Sequence, residues 1–371
     1  MSFLYRTILR PAVFLQDSEN AHNRMISFLS RASRSRLMMS LLGNLYHSPE
    51  LSVKIFDLEF PNPLGIAAGI DKNGQAVPAW QALGFGFSEI GGVTLHEQEG
   101  NPKPRMFRAN AERALVNRMG FNNLGANSIL DKLKDCKSRG LWPESPVGIN
   151  LGKSKITPLN KSPEDYAGSL ELLWSHADFF VINVSSPNTL GLRDLQESKH
   201  LESILKLCQE TNSKCAVDFD KPMRPLLVKI APELDDSYLK DIIKLVNRFG
   251  LNGIVATNTT IQRPETKNTK SQKIYDEEGG LSGLPLRDKS TDMIRKIYKI
   301  SEGKVPIIGV GGIFSVDDAW DKITAGASLI QVYTGLVFEG PGIARNIVSG
   351  LKKRVKEAGL NSISEAVGIN S

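Results

Sequence analysis

The chain has 371 residues, 41% hydrophobic and 23% charged, which suits two average domains or one large α/β barrel with additions. Its cysteines, Cys136, Cys208 and Cys215, form no CxxC and no regular spacing, which leaves no disulfide framework and no zinc site. Five scattered histidines (22, 47, 96, 176 and 200) argue against a metal centre, and of the net charge of +6, +4 falls in residues 1–47, where six arginines face Asp17 and Glu19.

From residue 18, Ala21, Met25, Phe28, Leu29 and Ala32 recur on one helical face, with Asp17 or Ser18 as the N-cap. A second stripe follows in Leu37, Met38, Leu41, Leu42 and Leu45. Upstream, FLYRTILRPAVFL is broken by Arg6, Arg10 and Pro11, short of the ~18 apolar residues of a membrane span and without a signal-peptide cleavage pattern. These helices read either as lying on a membrane surface or as a cap packed on the main domain. A cleaved mitochondrial transit peptide is a third reading: RASRSR fits its composition, Asp17 and Glu19 do not.

LSVKIFDLEFPN alternates about a turn-like centre, as a hairpin closing a barrel floor would. Eight β-rich runs follow, at 63–69, 87–94, 146–152, 179–186, 224–231, 253–260, 305–312 and 327–335. They are largely apolar rather than alternating, as strands buried on both faces are, and stretches of helical character separate most of them. The expectation is a (β/α)8 TIM barrel with an N-terminal amphipathic helical extension, dividing at 1–47 and 48–371. A doubly wound open sheet is the structural alternative.

A barrel carries its chemistry at the carboxyl ends of its strands. Those ends offer amides, hydroxyls, glycines and two lysines, Lys72 and Lys229. A single Asn or Thr there is an ordinary loop residue, but eight strands agreeing is harder to dismiss. Glycines in GVGGI (309–313) and YTG (333–335) stand where barrels hold a phosphate, although a lone GxGG also serves ordinary turns. The lysines call for an anion, and Asn117, Asn150, Asn183, Asn188 and Asn258 suit a planar ring edged with carbonyls and N–H groups. No GxSxG elbow accompanies Ser186.

AAGIDKNG, EGNPKPRMFR, NRMGFNN, GINLGKSK, INVSSPNT, VKIAPEL, ATNTT, GGLSG, GVGGI and YTG occur in this order. Over about residues 10 to 355 the chain thereby resembles the quinone-dependent (class 2) dihydroorotate dehydrogenases. That resemblance implies an FMN-containing barrel oxidising dihydroorotate to orotate in pyrimidine synthesis. It implies Ser186 as the base, with Phe121 and Thr189 shaping the proton's exit. Substrate would be held by Lys72, Asn117, Arg118, Met119, Gly120, Phe121, Asn183, Asn188, Asn258 and Thr259. FMN would be held by Ala68, Gly69, Lys72, Gly92, Asn150, Asn183, Lys229, Thr257 and Gly283, with Gly312, Tyr333 and Thr334 at its phosphate. Soluble class 1 relatives use a cysteine as base, and no cysteine lies in the loop of Ser186.

The resemblance makes residues 1–47 the membrane and quinone-access segment, with His22 and Arg108 at its quinone end and ubiquinone or menaquinone as acceptor. Without it, His22 reads as an exposed helix histidine. The implied location is peripheral, on the cytoplasmic face of a bacterial inner membrane, with the mitochondrial inner membrane as alternative and a monomer as the simplest state. The pI of about 9.0 raises a tRNA-modifying or other nucleic-acid-binding barrel as a competing class. The residues beyond 47 carry only +2, so no nucleic-acid partner is expected. A soluble class 1-like enzyme using fumarate or NAD, and a barrel that has lost its cofactor, complete the alternatives.

Overall fold

The computed structural model describes residues 4–188, 192–196 and 198–371. Eight parallel strands close into a barrel: Leu64–Ile66, Phe87–Val93, Val147–Leu151, Phe179–Asn183, Leu226–Ile230, Gly253–Ala256, Ile307–Val310 and Leu329–Val332. Spatial order follows chain order, and Ile330 of the eighth strand pairs with Leu64 of the first. Each strand falls within one of the eight apolar runs. That closure excludes the open doubly wound sheet, which would leave two edges unpaired.

Side-chain size shapes the lower barrel. A Cβ on Gly65 would lie 2.4 Å from Phe87, and one on Gly148 would lie 2.2 Å from Phe179. Glycine therefore makes room for a column in which Phe60 meets Phe87 at 5.4 Å and Phe87 meets Phe179 at 6.2 Å between ring centroids. The hairpin is present as Val53–Ile55 and Leu58–Phe60. Phe56 and Asp57 turn it with φ of 58° and 56°, the positive pair a two-residue turn needs. Phe56 lies at the start of the sixth strand, against Gly253, so the hairpin seals the floor.

A three-stranded antiparallel sheet of Met106–Ala109, Ala114–Asn117 and Gly280–Gly283 is not foreseen by the sequence reading. Its strands are four residues each, and Gly280 pairs with Asn117 across a long stretch of chain. That pairing brings the Asn117–Asn122 loop to the same end of the barrel as the strand ends.

In the extension, helix Ser18–Ala32 is capped by Asp17, whose side chain accepts from Asn20 N at 2.9 Å, and helix Arg36–Tyr46 is capped by Ser35. The single apolar face read from residues 21–32 turns toward the barrel in the fold. Ile26, Leu29 and Ala32 are buried, and Ala21, Met25, Phe28 and Leu29 line one cavity, with Phe28 56% exposed at its edge. Leu37 and Leu41 are also exposed, while Met39, Leu42 and Tyr46 pack on the barrel core. The extension thus has both a packed side and an open apolar side. Among the described residues no helix is long and apolar enough to cross a membrane.

Candidate active site

The carboxyl ends of all eight strands open onto one cavity. Strand one and its loop contribute Ala68, Gly69 and Lys72, strand two Gly92, and strand three Asn150. Strand four and its loop bring Asn183, Ser186 and Asn188; strand five brings Lys229. Thr257, Asn258 and Thr259 follow strand six, Gly312 follows strand seven, and Tyr333 and Thr334 follow strand eight. The small sheet adds Asn117, Met119, Gly120, Phe121 and Gly283.

Among the described residues, one expected side chain does not join them. The Arg118 side chain is not part of the lining; it pairs with Glu277 at 2.7 Å and donates to Pro104 O at 2.9 Å. Thr189 lies outside the described residues.

Asn183 shows how an amide is accommodated inside an apolar strand. Its Nδ2 donates to Asn150 Oδ1 at 3.0 Å, and its Oδ1 accepts from Ser185 N, Ser185 Oγ and Asn258 Nδ2 at 3.0–3.3 Å. Every polar atom of this buried side chain is therefore used. Asn150 Nδ2 passes the chain on to Glu89 Oε1 at 2.7 Å, and Gln331 Nε2 donates to Glu89 Oε2 at 2.6 Å. Glu89 is wholly buried and Gln331 lines the cavity. Neither was singled out from sequence, although a polar side chain inside an apolar run marks both, as it marks Asn183.

The loop after strand four is fixed from several sides. Asn188 N donates to Ser186 Oγ at 3.3 Å, Asn188 Nδ2 to Asn117 Oδ1 at 3.2 Å, and Asn101 Nδ2 to Asn188 O at 3.0 Å. Asn188 Oδ1 is buried with no protein partner, so an acceptor is left for a ligand. The Phe121 ring lies against Gly92, where a Cβ would sit 2.6 Å from it, and Phe121 takes φ 52°. A bulky residue in the left-handed region is strained, and such strain is characteristic of ligand-shaping positions.

Burial sets the charge states. Lys72 is drawn down to about 8 by desolvation, against the opposing pull of Glu19. Lys229 is lowered by the same cause and held up by Glu89. Asp71 is raised by burial, although Gln75 N, Ala76 N and Trp80 Nε1 bond its carboxylate at 2.8–3.2 Å. Two lysines whose ammonium groups burial disfavours call for an anion, or a ring that becomes anionic, beside them.

A second cavity lies between the extension and the barrel. Its walls are mostly apolar, with Val13, Phe14, Met25, Leu42 and Leu336 among them, and His22 and Arg108 supply polar groups. Burial, with Lys72 nearby, takes His22 down to about 3, so its imidazole is neutral at ordinary pH. Arg108 donates to Gln16 O and Ser18 Oγ at 3.1 Å and stacks on Phe14 at 4.0 Å, while its Nε and Nη1 are buried without a protein partner. Tyr333 lines both cavities and is the shared wall.

Residues 50–355 match the family model described as dihydroorotate dehydrogenase. A relative from Nostoc punctiforme, named dihydroorotate dehydrogenase (quinone), is 48% identical over 380 residues, covering 99% of this chain and 98% of that protein. One of the same name from Gloeobacter violaceus is 47% identical, covering 98% of each. The crystal structure of the dihydroorotate dehydrogenase of Eimeria tenella in complex with ferulenol superposes with a TM-score of 0.86 at 37% identity, covering 96% of both chains.

Proposed function

The chain belongs to the dihydroorotate dehydrogenase family, as a quinone-dependent flavoenzyme that oxidises dihydroorotate in pyrimidine biosynthesis, and on that premise we propose how its own residues divide the work. The flavin is FMN, held in the strand-end cavity. The fit rests on the donor set: Lys229, Asn150 and Gln331 form a polar floor, and Gln331 Oε1 is a buried acceptor that no protein group satisfies. Ala68, Gly69, Lys72, Gly92, Asn183, Thr257 and Gly283 would enclose the ring. Gly312, Tyr333 and Thr334 would hold the phosphate; Gly312 has φ 71°, and Thr334 Oγ1 is 2.9 Å from Ser282 Oγ. When bound, FMN supplies the two-electron acceptor for hydride from dihydroorotate.

Over that ring, Lys72 would meet the substrate carboxylate, and Asn117, Asn183, Asn188, Asn258 and Thr259, with the Met119–Phe121 backbone, its ring amides. Arg118 would act through its backbone, since its side chain is committed to Glu277. Ser186, 7% exposed, takes the proton from carbon. A serine hydroxyl is a poor base at neutral pH, so it must pass its own proton on, by way of Thr189 and water past Phe121. Class 1 chemistry has no support here, because Cys136, Cys208 and Cys215 all lie on outer helices.

Quinone would enter the apolar cavity and meet the electron donor across Tyr333, with His22 and Arg108 at its polar end. The exposed Leu4, Ile8, Leu9, Leu15, Phe28, Leu37, Leu41 and Leu45 form the open apolar side of residues 1–47, and arginines flank them. That composition supports peripheral docking on a membrane, at the cytoplasmic face of a bacterial inner membrane, by a monomer. The observation carrying this reading is one wall, Tyr333, common to a polar cavity and an apolar one. Turnover of dihydroorotate with ubiquinone or menaquinone but not with fumarate or NAD is expected; equal rates with a soluble acceptor would overturn the quinone assignment.

A further inference from the structure

Glu89 sits in the second barrel strand, entirely buried, and touches neither cavity. Its two oxygens each accept one amide: Asn150 Nδ2 at 2.7 Å and Gln331 Nε2 at 2.6 Å. A carboxylate offers no donor, so both amides must turn their NH2 ends toward it. The consequences run in two directions. Asn150 presents Oδ1 to Asn183 Nδ2, and Asn183 in turn presents Oδ1 to Ser185 and Asn258. Gln331 is left with Oε1 buried and unpartnered at the cavity wall.

From this geometry we infer that Glu89 is a positioning residue that fixes the donor and acceptor pattern of the cavity floor, and that Gln331 Oε1 is the acceptor for a ring N–H of the bound flavin. The inference rests on the proposed flavin site. An oxidised isoalloxazine has a single ring N–H, at N3, so the match is specific. Leaving Gln331 Oε1 unmet would otherwise carry the cost of a buried orphan acceptor.

Replacing the carboxylate by an amide forces a choice. Gln at position 89 would donate to one neighbour and accept from the other, so one neighbour must turn over. Asn150 is locked from behind, because its reversal would drag Asn183 and that residue's three donors with it. Gln331 has no protein partner at its far end, so Gln331 is the one that turns. Its NH2 would then face the flavin N3–H, donor against donor.

The test uses holoenzyme loaded with 15N-labelled flavin and follows solvent exchange of N3–H by NMR. Slow exchange in the native protein and at least tenfold faster exchange in Glu89→Gln are expected. Unchanged exchange in a flavin-loaded Glu89→Gln protein would overturn the inference. Gln331→Leu, which removes the acceptor and leaves Glu89 in place, covers the case in which the first variant does not accumulate. It too should speed exchange tenfold, and native-like protection in it would equally overturn the inference. A native protein that purifies without flavin would instead overturn the cofactor reading on which this one stands.

Discussion

Glu19 of the N-terminal extension and Arg105 of the barrel are joined by a buried ion pair, with Glu19 Oε1 2.7 Å from Arg105 Nη2 and the Arg105 Nε closing a second bond at 3.1 Å to Oε2. Arg105 also donates to Asn101 O at 2.8 Å, and Asn101 Nδ2 donates to the Asn188 carbonyl beside Ser186. The extension is therefore bolted to the loop that would hold the substrate.

Glu19→Gln should cost about 3 kcal/mol, the low end for removing one partner of a buried pair. Burial alone would raise Glu19, but the Arg105 bond and charge, with Lys103 and Lys72, bring it below its ordinary 4.5. A lowered carboxylate stabilises the fold above its unfolded value, and that contribution disappears as pH falls below about 4.5 through the folded value. Thermal melts of native and variant protein should therefore differ at pH 7 and converge at acid pH. A constant gap across that range would contradict the pairing.

Ser186→Ala should slow flavin reduction by dihydroorotate about 10²–10⁴-fold, the usual contribution of a general base, while flavin remains bound. Stopped-flow absorbance gives the rate directly. Reduction at the native rate would remove Ser186 from the chemistry.

His22 should not titrate between pH 8 and pH 5, because its folded value is about 3. The shift is downward, so below about 6.5 the unfolded chain takes a proton that the folded one refuses, and this residue costs stability as pH falls. An imidazole resonance of His22 that moves with a midpoint near 6.5 would show it exposed rather than lining the apolar cavity.

Leu37 and Leu41 are 70% and 53% exposed on helix Arg36–Tyr46. Changing both to Asp should lower partition onto lipid vesicles at least tenfold, about 1.4 kcal/mol, without altering flavin reduction. Vesicle sedimentation measures the first and rapid mixing the second. Unchanged partition would place the docking surface elsewhere.

The barrel was legible because strands buried on both faces read as largely apolar runs without alternation, and their polar ends marked the mouth. Lys72, Lys229, Asn150 and Asn183 could be placed together on that logic alone. Glu89 and Gln331 escaped it because they sit below the strand ends, where side chains ordinarily belong to the core. The three-stranded sheet escaped because Gly280–Gly283 finds its partner far back in the chain, and four-residue strands carry little period. Arg118 was expected in the site with its motif neighbours, yet its side chain turns away to Glu277. In the extension, the stripe could not disclose that Leu29 and Ala32 are covered while Phe28 stays 56% exposed beside the apolar cavity. Those outcomes depend on what each helix meets, which local pattern does not encode.

On the proposed division, dihydroorotate would reduce the flavin in the strand-end cavity and quinone would reoxidise it from the neighbouring apolar cavity. Anaerobic mixing with dihydroorotate, followed by addition of quinone, tests it in one trace. The flavin absorbance should bleach within the mixing experiment and return on quinone addition. A flavin spectrum that dihydroorotate leaves unchanged, or that quinone does not restore, would contradict the account.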